Sequence, residues 1–112
     1  MILFVDDCPR RQAALRKSFG PAVMIAGSIG VAVYYLSISD VDAGFTTIYL
    51  DYDGVDGDLL AEWMARHRPL PNVKVIIHSS NYVGAIKMRG ALQAAGYDVE
   101  MTAFAEVVKS VD

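Results

Sequence analysis

Four short apolar runs stand out along the chain: Ile2 to Val5, Ala22 to Ala26, Thr47 to Leu50 and Val73 to Ile77. A weaker fifth runs from Tyr97 to Met101. The runs are rich in β-branched residues and lack a clean alternation of apolar and polar positions, the pattern of strands covered on both faces. Between them the period changes to that of a helix. Pro9 suits a first helical position, Leu15 and Phe19 lie four apart on one face, and Gly20-Pro21 ends the run. After Gly57, residues Leu60, Trp63, Met64 and His67 fall at i, i+3, i+4 and i+7, and Pro69 stops them. Ala85, Met88, Leu92 and Ala95 make another stripe, which Gly96 terminates. Phe104, Val107, Val108 and Val111 predict a last helix. Ser28 to Ile38 is β-branched and aromatic enough for a strand, but its place between two strands predicts a helix.

Strand and helix thus alternate five times at roughly two dozen residues per unit, close to the minimum for βαβ crossovers. Right-handed crossovers then imply a parallel sheet with helices on both faces. The expectation is one flavodoxin-like (βα)5 domain over residues 1–112, with strand order 2-1-3-4-5.

Composition narrows the function classes. Hydrophobic residues make up 54% of 112 residues and charged ones 21%, which supplies a packed interior and argues against disorder. The net charge of -3 argues against an extended nucleic-acid surface. Arg10, Arg11, Arg16 and Lys17 lie close together and, for the most part, read as a solvated helix face. The single cysteine, Cys8, allows no intrachain disulfide and fits a reducing, cytoplasmic setting. Two adjacent acids disfavour its thiolate, so it is not read as a nucleophile. The start of the chain lacks a signal-peptide pattern, and no apolar run reaches membrane-spanning length.

In open parallel sheets ligands bind beyond the C-terminal strand ends, so the residues just past each strand carry the chemistry. Asp6 and Asp7 follow the first strand, Asp51, Tyr52 and Asp53 the third, and His78, Ser79, Ser80 and Asn81 the fourth. The expected order makes these strands neighbours. Crowded carboxylates repel unless a cation sits among them, and Mg²⁺, which prefers oxygen ligands, is the natural candidate for Asp6, Asp7 and Asp51. For any single Asp, helix capping is the competing explanation. His78 is placed for proton transfer or phosphate contact. Ser80 or Asn81 is placed to cap the helix that follows, whose N–H groups then face the same crevice, and Gly84 allows close backbone approach. Tyr52 is placed to stack on a base or cover the site. Trp63 reads as core, His67 as a packing or surface residue, and Tyr34, Tyr35 and Tyr49 as structural.

Asp6-Asp7, Asp51 and Ser79 resemble the response-regulator receiver plan, in which acids bind Mg²⁺ around a phosphoacceptor Asp and a hydroxyl contacts the phosphoryl group. The Lys expected after the fifth strand is missing from Glu100-Met101-Thr102-Ala103. A closer resemblance is to the cyclic-phosphate processing receiver-like domains of bacteria and their phages. It rests on Leu3-Phe4-Val5-Asp6-Asp7 with Arg10 and Arg11, then Leu50-Asp51-Tyr52-Asp53. The long block Ile77-His78-Ser79-Ser80-Asn81-Tyr82-Val83-Gly84-Ala85-Ile86-Lys87-Met88 completes it. The resemblance runs to Gly96-Tyr97.

It implies processing of cyclic phosphates of nucleotides or RNA ends, with a small cyclic phosphate or nucleotide as partner. In this reading Asp6, Asp7 and Asp51 hold the metal, which polarises phosphate and activates water. His78, Asp51 and Asp53 are the candidate catalytic groups; Ser79, Ser80, Asn81, Gly84, Arg10 and Tyr52 are the candidate phosphate- or substrate-binding ones. Tyr52 stands where the family pattern carries a second His. A module that captures a cyclic nucleotide without turnover is therefore the second reading, and a receiver phosphorylated on Asp51 the third.

Overall fold

Each apolar run becomes a strand, and the strands pair in parallel because a helix returns the chain between them. In the computed structural model, which describes residues 2–38, 45–51, 57–67, 73–78 and 82–102, the strands are β1 (Ile2–Val5), β2 (Val23–Ala26), β3 (Thr47–Asp51), β4 (Lys74–His78) and β5 (Asp98–Thr102). They form one parallel sheet in the order 2-1-3-4-5, as expected. The helices among the described residues are α1 (Pro9–Phe19), α2 (Ile29–Ile38), α3 (Gly57–His67) and α4 (Tyr82–Ala94). The helix expected from Phe104 to Val111 lies outside the described residues.

The boundary shifts matter for the site. β3 and β4 each run one residue past the apolar run, because Asp51 pairs with His78 in the ladder. Both polar residues are therefore held by sheet backbone rather than by loop. The segment after β2 is helical despite its composition. Ser28 caps it, its hydroxyl accepting from the Val31 N–H at 3.2 Å, while Ala32 N–H donates to the Ser28 carbonyl at 3.0 Å.

Strand alternation divides the core between two faces. Phe4, Tyr49 and Ile76 share one face, where Leu15 and Phe19 of α1 cover them. Phe4 and Tyr49 are register partners, and their rings stack at 5.1 Å. Leu3, Val5, Ile48, Leu50, Val75 and Ile77 share the larger opposite face, covered by Leu36, Leu60, Met64, Met88 and Leu92 from α2, α3 and α4. Trp63, expected in the core, is half-buried at its margin and stacks at 4.6 Å on exposed His67. Tyr49 is buried and Tyr34 is exposed.

Two glycines stop helices by taking positive φ. Gly20 (φ 62) donates its N–H to the Arg16 carbonyl and opens a single 3-10 turn, Gly20–Ala22. Gly96 (φ 98) donates to the Gln93 carbonyl while Tyr97 N–H reaches the Leu92 carbonyl, each at 3.0 Å, which is the Schellman arrangement.

Candidate functional site

Parity along the strands aims the site. Even positions of β1 place Phe4 on the α1 face, so Asp6 follows on that face too; Tyr49 does the same for Asp51, and Ile76 for His78. Asp6 sits one step beyond Val5, which pairs with Leu50, so Asp6 and Asp51 stand at one level. His78 is next across the sheet, and Thr102 of β5 next to it. Asp6, Asp51 and His78 are all buried, at 0%, 2% and 2% exposure, whereas Asp7 is exposed.

Asp6 is fixed from several directions. Its N–H donates to the Ala26 carbonyl at 3.0 Å, which extends the β1–β2 ladder by one bond. Gln12 Nε2 donates to its carbonyl at 2.6 Å, and its Oδ1 accepts from the Cys8 N–H at 2.9 Å. The Asp6 side chain thus shapes the turn into α1. The N-cap position itself is Cys8, without a side-chain cap bond, so the capping explanation does not account for Asp6 or Asp7.

Arg11 closes the arrangement. It lies four residues before Leu15 and eight before Phe19, so the stripe that packs α1 onto the sheet ends, one turn earlier, in a guanidinium. Arg11 Nε donates to Asp6 Oδ2 at 2.6 Å, and one terminal nitrogen donates to Asp6 Oδ1 and to Asp51 Oδ2, both at 3.0 Å. The hydrogen bond to Asp6 pushes the guanidinium pKa above its ordinary value; partial burial opposes this, and the Asp6 and Asp51 charges add to it. Arg10, Arg16 and Lys17 are exposed, the solvated face expected of most of that basic group.

Oxygen atoms of Asp6, Asp7 and Asp51 lie within 4.8 Å of one another. Opposite ligands of Mg²⁺ stand about 4 Å apart, twice its bond length to oxygen. Three ligands cannot all be opposite, and adjacent ones stand about 3 Å apart, so the trio fits the ion in donor chemistry and, with closure of up to about 2 Å, in spacing. His78 packs its ring on Phe4 at 4.7 Å and 40°. Gly84 is buried in the first turns of α4. Tyr52, Asp53, Ser79, Ser80 and Asn81 lie outside the described residues.

Arg10, the basic residue expected at the phosphate, is exposed, and it is Arg11 that contacts the carboxylates. The signal was available: only Arg11 continues the Leu15–Phe19 stripe backward by a turn.

Among family models, that of the cyclic-phosphate processing receiver domain matches residues 1–94. No curated protein matches the chain. Solved receiver structures share its fold. The receiver domain of Francisella response regulator 1452 has a TM-score of 0.65 at 19% identity, covering 98% of this chain and 91% of its own. A Burkholderia pseudomallei response regulator, solved with a phosphorylated aspartic acid, calcium ion and citrate, has a TM-score of 0.70 at 15% identity, covering 99% and 65%. NtrX from Brucella abortus has a TM-score of 0.56 at 22% identity; the match covers 98% of this chain but only 26% of that one.

Proposed function

Because the chain belongs to the cyclic-phosphate processing receiver domains, we propose that it is a divalent-metal-dependent phosphoesterase opening cyclic phosphates of nucleotides or RNA ends. The observation that carries the reading is the carboxylate trio at one sheet edge, with Asp51 opposite His78 in the ladder. The Burkholderia pseudomallei structure of this fold was solved with a phosphorylated aspartic acid and a calcium ion, which supports a fold able to take both a phosphoryl group and a cation.

Hydrolysis adds water across one P–O bond of the ring. Water loses a proton as its oxygen bonds to phosphorus, and the departing ring oxygen gains one, leaving a linear phosphomonoester. Asp6, Asp7 and Asp51 would hold Mg²⁺, which when bound polarises the phosphate. His78 is assigned one of the two proton transfers, with Asp53, two residues after Asp51, for the other. Ser79, Ser80, Asn81 and the Gly84 backbone are assigned the phosphate oxygens, Arg10 the anion from the solvent side, and Tyr52 the base. The partner is accordingly a small molecule. No helix among the described residues is long and apolar enough to cross a membrane.

Capture without turnover is the second reading. His78 favours it, being 2% exposed and packed on Phe4, which restricts proton exchange with solvent. One panel separates the readings: protein and Mg²⁺ with 2′,3′-cyclic nucleotides. Release of a linear phosphomonoester, lowered about 10²- to 10⁴-fold by His78→Ala, is the expected result. Full activity of His78→Ala sinks the mechanism, and tight binding with unchanged ligand recovered establishes capture. Labelling of Asp51 by a small phosphodonor would instead favour phosphorelay signalling, against which the missing Lys speaks.

A further inference from the structure

The trio proposed to hold a dication already embraces a cation of the protein's own. Arg11 spans its two buried members, forking onto both oxygens of Asp6 and reaching Asp51 Oδ2. A guanidinium and a dication drawn to the same oxygens repel each other, so these carboxylates favour one at the expense of the other. Arg11 has somewhere to go: its side chain is 34% exposed, while Asp6 is 0% exposed. Asp6 also stays in place without it. The Cys8 N–H holds its Oδ1, and Gln12 and the Ala26 carbonyl hold its backbone.

Charge balance sets an order of events. Three carboxylates and one guanidinium leave these four side chains with two surplus negative charges, which repel a phosphate anion. A dication makes the group neutral and frees the guanidinium, a fork suited to phosphate oxygens.

We propose that Arg11 is a built-in stand-in cation. Without a divalent ion it clamps Asp6 to Asp51; it competes with the ion for those oxygens, and once displaced it turns to the anionic phosphate. Cation binding therefore precedes phosphate binding. The inference rests on the metal reading of the trio, and Arg11 acts in it first as counter-ion to Asp6 and Asp51 and then as a phosphate-binding residue.

The test titrates Mg²⁺ into the full chain and its Arg11→Gln variant by calorimetry, and follows the Arg11 Nε–H resonance of the wild-type protein by NMR. Arg11→Gln is expected to bind Mg²⁺ roughly tenfold more tightly. The wild-type resonance should leave its ion-paired position with the midpoint of Mg²⁺ binding. Inorganic phosphate should perturb it only when Mg²⁺ is present. Equal or weaker Mg²⁺ binding by folded Arg11→Gln overturns the competition, and so does a resonance unmoved at saturating Mg²⁺. An equal response to phosphate without Mg²⁺ overturns the order. If neither protein binds Mg²⁺, the metal reading itself fails, a result distinct from binding without competition. Should Arg11→Gln not fold, Arg11→Lys keeps the charge but loses the two-carboxylate fork, and tighter Mg²⁺ binding than wild type is again expected.

Discussion

Leu15 shows how a core residue sets the geometry of a charged one. It is fully buried against Phe4 and Tyr49 and, with Phe19, fixes the rotation of α1 on the sheet. Arg11 stands one turn before it on the same stripe, so the guanidinium's reach to two carboxylates depends on that packing. Leu15→Ala should cost about 2–5 kcal/mol, because the removed methyl groups leave a cavity between α1 and the sheet, against Phe4 and Tyr49. Urea unfolding measures the cost. Mg²⁺ titration of the folded variant should show altered affinity as well; unchanged affinity would mean that α1 does not position Arg11. A surface substitution such as Arg16→Ala on the same helix should change neither.

At the level of elements, α4 leads away from the sheet edge that carries His78 and must stop cleanly to return the chain as β5. Its stop is Gly96 at φ 98, a conformation that an L side chain adopts at a cost of about 1–2 kcal/mol. Gly96→Ala is therefore expected to destabilise by that amount. Gly90 lies inside the same helix, exposed, and a Cβ built on it meets nothing within 4 Å. Gly90→Ala should stabilise by about 0.5–1 kcal/mol, since Ala gives up less backbone freedom than Gly in a helix. Denaturant midpoints of the two variants should move in opposite directions. Movement in the same direction would contradict the backbone explanation. Such elements were legible in the sequence because helix stops and stripes are local: Gly20, Gly96, Leu60 and Met64 all do what their spacing implies. Boundaries were less so. Asp51 and His78 joined the strands because they pair with each other, a contact that no local pattern encodes.

Across the whole molecule, alkaline pH offers a readout of the sheet. Burial pushes the Tyr49 hydroxyl above 10.0, with Lys74 opposing and Glu100 adding to it. The hydrogen bond to Glu100 raises Lys74 above 10.5, joining β4 to β5 at 2.9 Å. Both groups hold their protons longer folded than unfolded. Their contribution is thus fully present below the unfolded values and is lost as pH rises through the folded ones. The melting temperature should accordingly fall above about pH 10, and Tyr49→Phe should remove part of that slope. A melting temperature independent of pH up to about pH 11 would contradict this assignment.

The sequence by itself determined the five-strand alternation and the parallel sheet and, under the flavodoxin-like order 2-1-3-4-5 expected of such a chain, the gathering of Asp6, Asp7, Asp51 and His78 at one sheet edge. Those follow from periodicity, crossover handedness and chain order, which act locally or by general rule. Only the tertiary structure decided that Asp6, Asp51 and His78 share the α1 face, that His78 is buried on Phe4, and that Arg11 rather than Arg10 reaches the carboxylates. Each depends on strand register and on the rotation of one helix against the sheet. A single-residue slip or a 100° turn would reverse the outcome, and only packing between distant segments fixes either.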